Sequence, residues 1–124
     1  MNLIDSYGWI EYFSEGPLAE KYAPYIEAAT QENTVTPSIV IFEIYRRLKA
    51  KKGEQIALEA YAQITGTKIV KLDDKLALAA ADISLETGLG MADSFVLAAA
   101  RRYGAKIITS DKHFEKTPEV TIIK

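Results

Sequence analysis

The sequence predicts an α/β fold in which short buried strands alternate with helices. Two observations indicate this class. Apolar runs alternate along the chain with longer segments whose apolar residues recur at helical spacing. The segments between successive strands are helical, and parallel strands need such long right-handed connections, so the sheet is predicted to be parallel. With 124 residues, of which 48% are hydrophobic, the chain fits a single domain over residues 1–124.

Glycine and proline residues help to delimit the predicted elements in the first half of the chain. The predictions, in order, are a strand at Asn2–Asp5, an aromatic helix ended by Gly16-Pro17, a helix at about Leu18–Gln31, a strand at Thr34–Thr36 and a helix from Pro37-Ser38 to Lys52. The second helix carries Tyr22, Tyr25 and Ile26 at helical spacing. Proline is tolerated where helices begin, and Gly53 ends the third helix.

The second half continues the alternation. The predictions are a helix at Glu54–Ile64, a strand at Thr67–Leu72, a helix capped by Asp73 or Asp74 and ended by Gly88, a helix at Met91–Tyr103, and strands at Lys106–Thr109 and Val120–Ile123. Asp is a favoured helix cap, and Gly commonly follows the last turn. The uncharged stretch Phe95–Ala100 predicts that the helix at Met91–Tyr103 is largely buried.

Four carboxylates lie at or near the ends of these hydrophobic elements: Asp5, Glu43, Asp93 and Asp111. Asp5 and Asp111 follow buried strands, and in open parallel sheets ligands bind beyond the carboxyl ends of strands. Glu43 and Asp93 lie in the opening turns of two helices. Ionised carboxylates in one pocket repel each other unless a cation holds them, so the pattern indicates a metal site.

Each acid also has an ordinary structural interpretation. Asp5 can cap the first helix, and Glu43 can pair with Arg47 one turn on. Asp93 can be an ordinary first-turn acid that interacts favourably with the helix dipole, and Asp111 can belong to a plain turn. Among the four acids, Asp93 is the strongest candidate for a functional residue. Val96, Leu97 and Ala100 share its helical face, so its carboxylate is predicted to lie on the side of the helix that packs inward.

Composition restricts the chemistry. The chain has no Cys and one His, His113, which disfavours disulfides, thiolate catalysis and tetrahedral zinc. Oxygen ligands suit Mg²⁺ or Mn²⁺. We find no secretory signal and no run of roughly 18 apolar residues, and therefore expect a soluble cytoplasmic protein without membrane contact.

The net charge of −2 and pI of about 5.4 give no global attraction to nucleic acid. Local basic clusters could supply it, and Arg46 and Arg47 are the candidates for phosphate contacts. A solvated helix end is the simpler interpretation of most of these cations.

Four motifs in order resemble the PIN domain family, in particular the VapC-type toxin ribonucleases of toxin–antitoxin pairs. They are Ile4-Asp5-Ser6, Thr36-Pro-Ser-Ile-Val-Ile-Phe-Glu43, Gly88-Leu-Gly-Met-Ala-Asp93 and Thr109-Ser-Asp111-Lys-His-Phe114. The resemblance covers nearly the whole chain. Two departures occur: His113 stands where many relatives carry another Asp, and Tyr7 where a small residue is commoner.

The resemblance implies a parallel sheet of order 3-2-1-4-5 with Asp5 and Asp111 side by side. It implies a Mg²⁺- or Mn²⁺-dependent endoribonuclease, with Asp5 and Asp93 as principal ligands and Asp111 as ligand or water-orienting base. Glu43 would bind through water or act as base, while Ser6 and Ser110 would donate hydrogen bonds to the ligands. The implied partners are an RNA substrate, a cognate antitoxin and a second copy in a homodimer.

Two other functions remain open on the sequence. A receiver-like signalling domain also has an acidic Mg²⁺ pocket, and Asp73 and Lys124 superficially match its phospho-acceptor and lysine. Two helical segments between successive strands count against it, because a receiver has one. The other alternative is a catalytically silent PIN scaffold that acts as a binding module.

Overall fold

The computed structural model describes residues 1–115 and 117–124. The strands are β1 (Asn2–Ile4), β2 (Val35–Pro37), β3 (Lys68–Val70), β4 (Lys106–Thr109) and β5 (Val120–Ile122). The α-helices are α1 (Ser6–Phe13), α2 (Ala19–Glu27), α3 (Ser38–Lys52), α4 (Glu54–Ile64), α5 (Asp74–Thr87) and α6 (Met91–Tyr103). One 3₁₀ turn, Lys112–Phe114, lies between β4 and β5. The predicted α/β class is confirmed.

Every strand pair is parallel. β1 pairs with β4 and β4 with β5, while β2 pairs with β3 in a separate ladder. The two groups meet at one bridge between Asn2 and Thr34, where the Asn2 N–H also donates to the Asn33 carbonyl at 2.7 Å. The implied order 3-2-1-4-5 requires β2 beside β1, and this bridge is their pairing within the described residues.

The buried core lies between the sheet and the helices. Leu3, Ile4, Ile107 and Ile108 on the paired strands β1 and β4 are at most 1% exposed. Helix α6 packs against them with a run of buried residues from Val96 to Ala100, broken by no charge, which confirms its predicted burial. Burying this apolar surface fixes the start of α6 close to the strand ends.

Several boundaries differ from the predicted ones, and at the end of α2 the reason is a side chain that competes for backbone groups. Helix α2 ends at Glu27 instead of Gln31, since the Asn33 side chain accepts from the Thr30 N–H at 2.7 Å and donates to the Ala28 carbonyl at 2.8 Å. Strand β1 ends before Asp5, which caps α1. The strand predicted at Thr67–Leu72 spans Lys68–Val70, β5 ends one residue earlier than predicted, and the strand predicted at Thr34–Thr36 is shifted to Val35–Pro37.

Across the described residues, no single helix is long and apolar enough to cross a membrane; α5 and α6 reach that length and composition jointly, with a bend of 114° between them.

Candidate metal centre

The four predicted carboxylates line one cavity of about 500 Å³. Asp5 directly follows β1, and Asp111 lies two residues beyond β4. Because β1 and β4 are adjacent and parallel, with Ile4 opposite Ile108, both acids reach the same edge of the sheet. Glu43 in the second turn of α3 and Asp93 in the first turn of α6 complete the wall.

Asp5 is the most buried of the four, with 8% of its surface exposed. Its Oδ1 accepts the Gly8 N–H at 2.8 Å, so Asp5 is the cap of α1, and its Oδ2 accepts the Thr109 hydroxyl at 2.5 Å. Burial raises the pKa of Asp5 to about 6, although these donors oppose the rise and the charge of Asp111 adds to it. Asp5 therefore both caps α1 and lines the cavity.

Gly8 and Tyr22 pack against each other close to Asp5. A Cβ at Gly8 would come within 2.5 Å of the Tyr22 ring, so only glycine allows α1 and α2 to approach this closely. The buried Tyr22 hydroxyl donates to Ser110 Oγ at 3.1 Å. Burial and the charge of Asp5 raise the pKa of Tyr22, which keeps the phenol protonated and able to donate. Ser110, predicted to support the ligands, is thereby tied to the wall of the cavity.

Glu43 is half-buried and faces Ser6 and Asp93. Burial raises the pKa of Glu43, the Ser6 hydroxyl opposes this, and the negative charge of Asp93 adds to it. Among the described residues Glu43 forms no ion pair with Arg47, so the surface pair considered from the sequence is not found. The cavity, with Ser6 beside it, is the environment of this carboxylate.

Asp93, Asp111 and His113 bring their ligand atoms closest together: one such atom from each lies within 4.8 Å of the others. The His113 Nδ1 lies 3.4 Å from Asp111 Oδ1 and 3.6 Å from Asp93 Oδ2. Burial raises the pKa of Asp93, Asp111 raises it further, and His113 opposes both. Two carboxylates and one imidazole form a donor set that fits a divalent cation.

His113 and Thr109 have structural relationships that the sequence did not predict. The sequence marks His113 as the single histidine and as a departure from the family pattern, and Thr109 as part of a motif. One sequence feature could have indicated this relationship. His113 lies two residues after Asp111, in a short turn that brings its ring back towards that carboxylate. Thr109 could have been found from its place on β4, opposite the end of β1.

The predicted phosphate-contact residues lie outside the cavity. Arg46 and Arg47 are exposed on α3 and are not among the residues that line it. Arg47 does lie near Tyr7, which lines the cavity and is 41% exposed. Burial and Glu11 raise the pKa of Tyr7, and the charge of Arg47 opposes the rise. Tyr7 is therefore an exposed aromatic ring in the lining of the acidic cavity, and the charge of Arg47 is close enough to affect the pKa of Tyr7.

The receiver-like alternative required Asp73 at the acidic pocket. Asp73 instead caps α5, where it accepts the Leu76 N–H at 2.7 Å and pairs with Arg102 at 3.3 Å. It is not a lining residue of the described cavity. The phospho-acceptor interpretation therefore has no acid at its site.

Fold and cavity together define an α/β protein with an acidic pocket at the carboxyl ends of parallel strands. The model of the PIN domain family matches residues 3–120, and the chain belongs to this family. No curated protein sequence matches the chain.

Solved structures resemble the whole chain. A toxin–antitoxin complex from Klebsiella pneumoniae has a TM-score of 0.81 at 20% identity, covering 98% of this chain and 96% of that one. VapC20 of Mycobacterium tuberculosis, a sarcin-ricin loop cleaving toxin, has a TM-score of 0.76 at 18% identity, covering 95% of each chain. VapBC2 from Rickettsia felis, bound to a DNA fragment from its promoter, has a TM-score of 0.73 at 17% identity, with coverages of 98% and 96%. At these identities the likeness is one of fold.

Proposed function

We propose that this PIN domain is a metal-dependent endoribonuclease and the toxin of a toxin–antitoxin pair. The observation that carries the proposal is the meeting of Asp5, Glu43, Asp93 and Asp111 around one cavity. Burial raises the pKa values of Asp5, Glu43 and Asp93, and neighbouring carboxylates raise them further, so the cavity repels an anionic substrate unless a cation is bound between the acids. The same acids are then suited to phosphodiester hydrolysis.

The proposed roles follow from the position of each acid. Asp93 and Asp111 would hold Mg²⁺ or Mn²⁺, because one oxygen of each belongs to a group of ligand atoms that lie within 4.8 Å of one another. Asp5 would face the same ion. Each of its oxygens accepts one protein hydrogen bond and keeps a lone pair for a further contact. When bound, the ion supplies charge neutralisation for the phosphate and a lowered pKa for water.

Glu43 is the proposed proton acceptor. Burial raises the pKa of Glu43, which makes this carboxylate a stronger proton acceptor than an exposed one. In the reaction the water oxygen forms a bond to phosphorus while its proton passes to the carboxylate. The P–O bond opposite breaks, and the leaving oxygen takes a proton from solvent. Ser6 would keep Glu43 oriented through its hydroxyl.

Tyr7 and Arg47 are the proposed contacts for single-stranded RNA. An exposed aromatic ring beside the reacting centre can stack on a base, and a guanidinium one helix away can bind the adjoining phosphate. Arg46, on the same exposed stretch of α3, is a second candidate for the phosphate. These contacts would supply locally the attraction that the acidic chain as a whole lacks.

Cleavage of RNA by purified protein tests the nuclease proposal. Wild type should cut single-stranded RNA with Mn²⁺ and lose this activity with a chelator. Asp93→Asn should lower the rate by roughly 100-fold or more, since a charge lost at the reacting centre costs on that order. Asp82→Asn, the same chemical change on the exposed face of α5, should leave the rate unchanged. No cleavage by wild type would support the silent scaffold, whereas full activity in Asp93→Asn would contradict the assigned site.

The toxin role rests on the fold comparisons, because the matched structures include toxin–antitoxin complexes. The chain has surface available for partner chains. Phe42 is 64% exposed, and it lines an apolar groove with Ile41, Tyr45, Leu58 and Tyr61 on α3 and α4. A second apolar surface on α5 exposes Leu78 at 69% and Leu85 at 88%. Exposed apolar patches of this kind mark protein interaction sites.

Co-expression tests the partner proposal. The small reading frame expected upstream of this gene would encode the antitoxin. Its product should co-purify with the chain, suppress RNA cleavage and relieve growth arrest. Light scattering should give twice the monomer mass of 13.7 kDa for the chain alone. A monomer that no neighbouring gene product binds would contradict the toxin role while leaving the nuclease proposal standing.

A further inference from the structure

The position of His113 is set by the turn that follows β4. Asp111 caps the 3₁₀ turn Lys112–Phe114, and its Oδ1 accepts the His113 N–H at 2.8 Å. This local bond folds the chain so that the imidazole stands over the carboxylate that caps it. The side chain of His113 is 74% exposed, so solvated ions can reach it.

The distances from His113 fit a shared ion better than direct hydrogen bonds. Its Nδ1 lies 3.4 Å from Asp111 Oδ1 and 3.6 Å from Asp93 Oδ2, longer than a good N–H···O hydrogen bond. Two adjacent ligands of an octahedral ion, each about 2.1 Å from the metal, lie roughly 3.0 Å apart. A small inward movement of the exposed His113 side chain would bring its Nδ1 to that spacing from both carboxylates.

We propose that His113 is a nitrogen ligand of the cation held by Asp93 and Asp111, and that it makes the site selective for Mn²⁺ over Mg²⁺. The inference rests on the proposed metal site and adds a ligand and a preference to it. Imidazole is a good ligand for transition metals, whereas Mg²⁺ prefers oxygen donors and keeps its waters. The family pattern has an Asp at this position in many sequences, so His113 changes one donor atom of the implied ligand set.

The selectivity follows from the change of one donor atom. With an Asp at position 113 the site would offer a third carboxylate, which suits Mg²⁺ and Mn²⁺ alike. With His113 it offers two carboxylates and a neutral nitrogen, which weakens the binding of both ions but that of Mg²⁺ more, because Mn²⁺ is a transition metal and accepts imidazole more readily than Mg²⁺ does. We expect the wild type to bind Mn²⁺ at least about tenfold more tightly than Mg²⁺.

Pulsed electron paramagnetic resonance on Mn²⁺-loaded protein tests the ligand directly. The chain contains a single His, so labelling histidine with ¹⁵N labels His113 alone. The wild type should show nitrogen coupling to Mn²⁺, and the coupling should change to that of ¹⁵N in the labelled protein. His113→Asp should bind Mn²⁺ without this coupling. A wild type that binds no Mn²⁺, or binds it without histidine coupling, would overturn the proposal.

Calorimetric titration of the two ions tests the preference. His113→Asp should bring the Mn²⁺ and Mg²⁺ dissociation constants to within about threefold of each other, and His113→Gln should weaken Mn²⁺ binding by about tenfold or more. An unchanged ratio in His113→Asp would overturn the proposal. Circular dichroism checks folding, which an exposed position should tolerate.

The outcomes separate this inference from the proposed function. RNA cleavage without histidine coupling would overturn the role of His113 and leave the nuclease standing. Histidine coupling without RNA cleavage would do the opposite.

Discussion

Thr109 joins the two strand-end acids through one hydroxyl group. Its Oγ1 donates to Asp5 Oδ2 at 2.5 Å and accepts the Asp111 backbone N–H at 2.9 Å. Thr109 is fully buried at the end of β4, beside the end of β1. A charged Asp5 is therefore held in place by a donor from the neighbouring strand, which also fixes the start of the segment that carries Asp111 and His113.

Replacing this hydroxyl tests how much Asp5 depends on it. Thr109→Val keeps the shape but removes the donor, and leaving a buried carboxylate short of a partner costs about 1–3 kcal/mol of unfolding free energy. The loss should be larger at pH 7.5, where Asp5 is charged, than at pH 4.5. Chemical denaturation at both pH values measures it. Thr109→Ser retains the hydroxyl and should stay close to wild type; equal losses at both pH values would show that packing, not the hydrogen bond, matters.

The raised pKa of Asp5 predicts how metal-free stability depends on pH. The pKa is about 6 in the folded protein and 3.8 when exposed, so the folded state binds the proton more tightly. Asp5 therefore contributes stability below pH 3.8 that is lost as the pH rises through 6, on the order of 3 kcal/mol at most. Asp5→Asn should remove this fall in denaturation experiments between pH 4 and 7.5. A profile unchanged by Asp5→Asn would contradict the assignment of the titration to this residue.

Asp93→Asn should separate stability from metal binding. Removing a carboxylate whose pKa is raised by burial and by Asp111 should leave the metal-free melting temperature equal to or above that of wild type. Added Mn²⁺ should stabilise wild type, since a ligand that binds only the folded state raises its stability. The variant should lose most of that stabilisation. If Mn²⁺ raises both melting temperatures equally, Asp93 does not hold the ion.

Tyr7 should affect RNA binding more than chemistry. Loss of one stacked base costs about 1–3 kcal/mol, so Tyr7→Ala should raise KM for single-stranded RNA by roughly tenfold to hundredfold, with a small change in kcat. Tyr7→Phe keeps the ring and should stay near wild type. Tyr61→Ala removes a similarly exposed ring on the α3–α4 face and should not alter KM. An equal effect of Tyr7→Ala and Tyr61→Ala would remove Tyr7 from the RNA path.

The sequence predicted the secondary-structure elements and the four candidate acids because both depend on local patterns of residues. Apolar spacing located every strand and helix, and the strand-end positions of Asp5 and Asp111 followed from the parallel sheet. The same patterns did not predict the end of α2, where the side chain of Asn33 competes with the helix. They also missed the link between Thr109 and Asp5, which lie 104 residues apart in the chain.

The closeness of His113 to Asp93 depends on how a short turn folds, which periodicity does not encode. The ring direction is set by the Asp111 cap and by the packing of α6, which places Asp93 opposite. The sequence shows His113 where the family pattern has an Asp, but it does not show which groups the ring lies near. The structure adds a nearby nitrogen donor.

A crystal soaked in Mn²⁺ and measured at the manganese absorption edge shows whether Asp93 and Asp111 hold a cation. We expect an anomalous peak in the cavity, within about 2.2 Å of carboxylate oxygens of both Asp93 and Asp111. The Asp93→Asn crystal should lose that peak. Manganese bound only outside the cavity, or none at all in crystals with ordered acids, would show that these acids do not form a metal site.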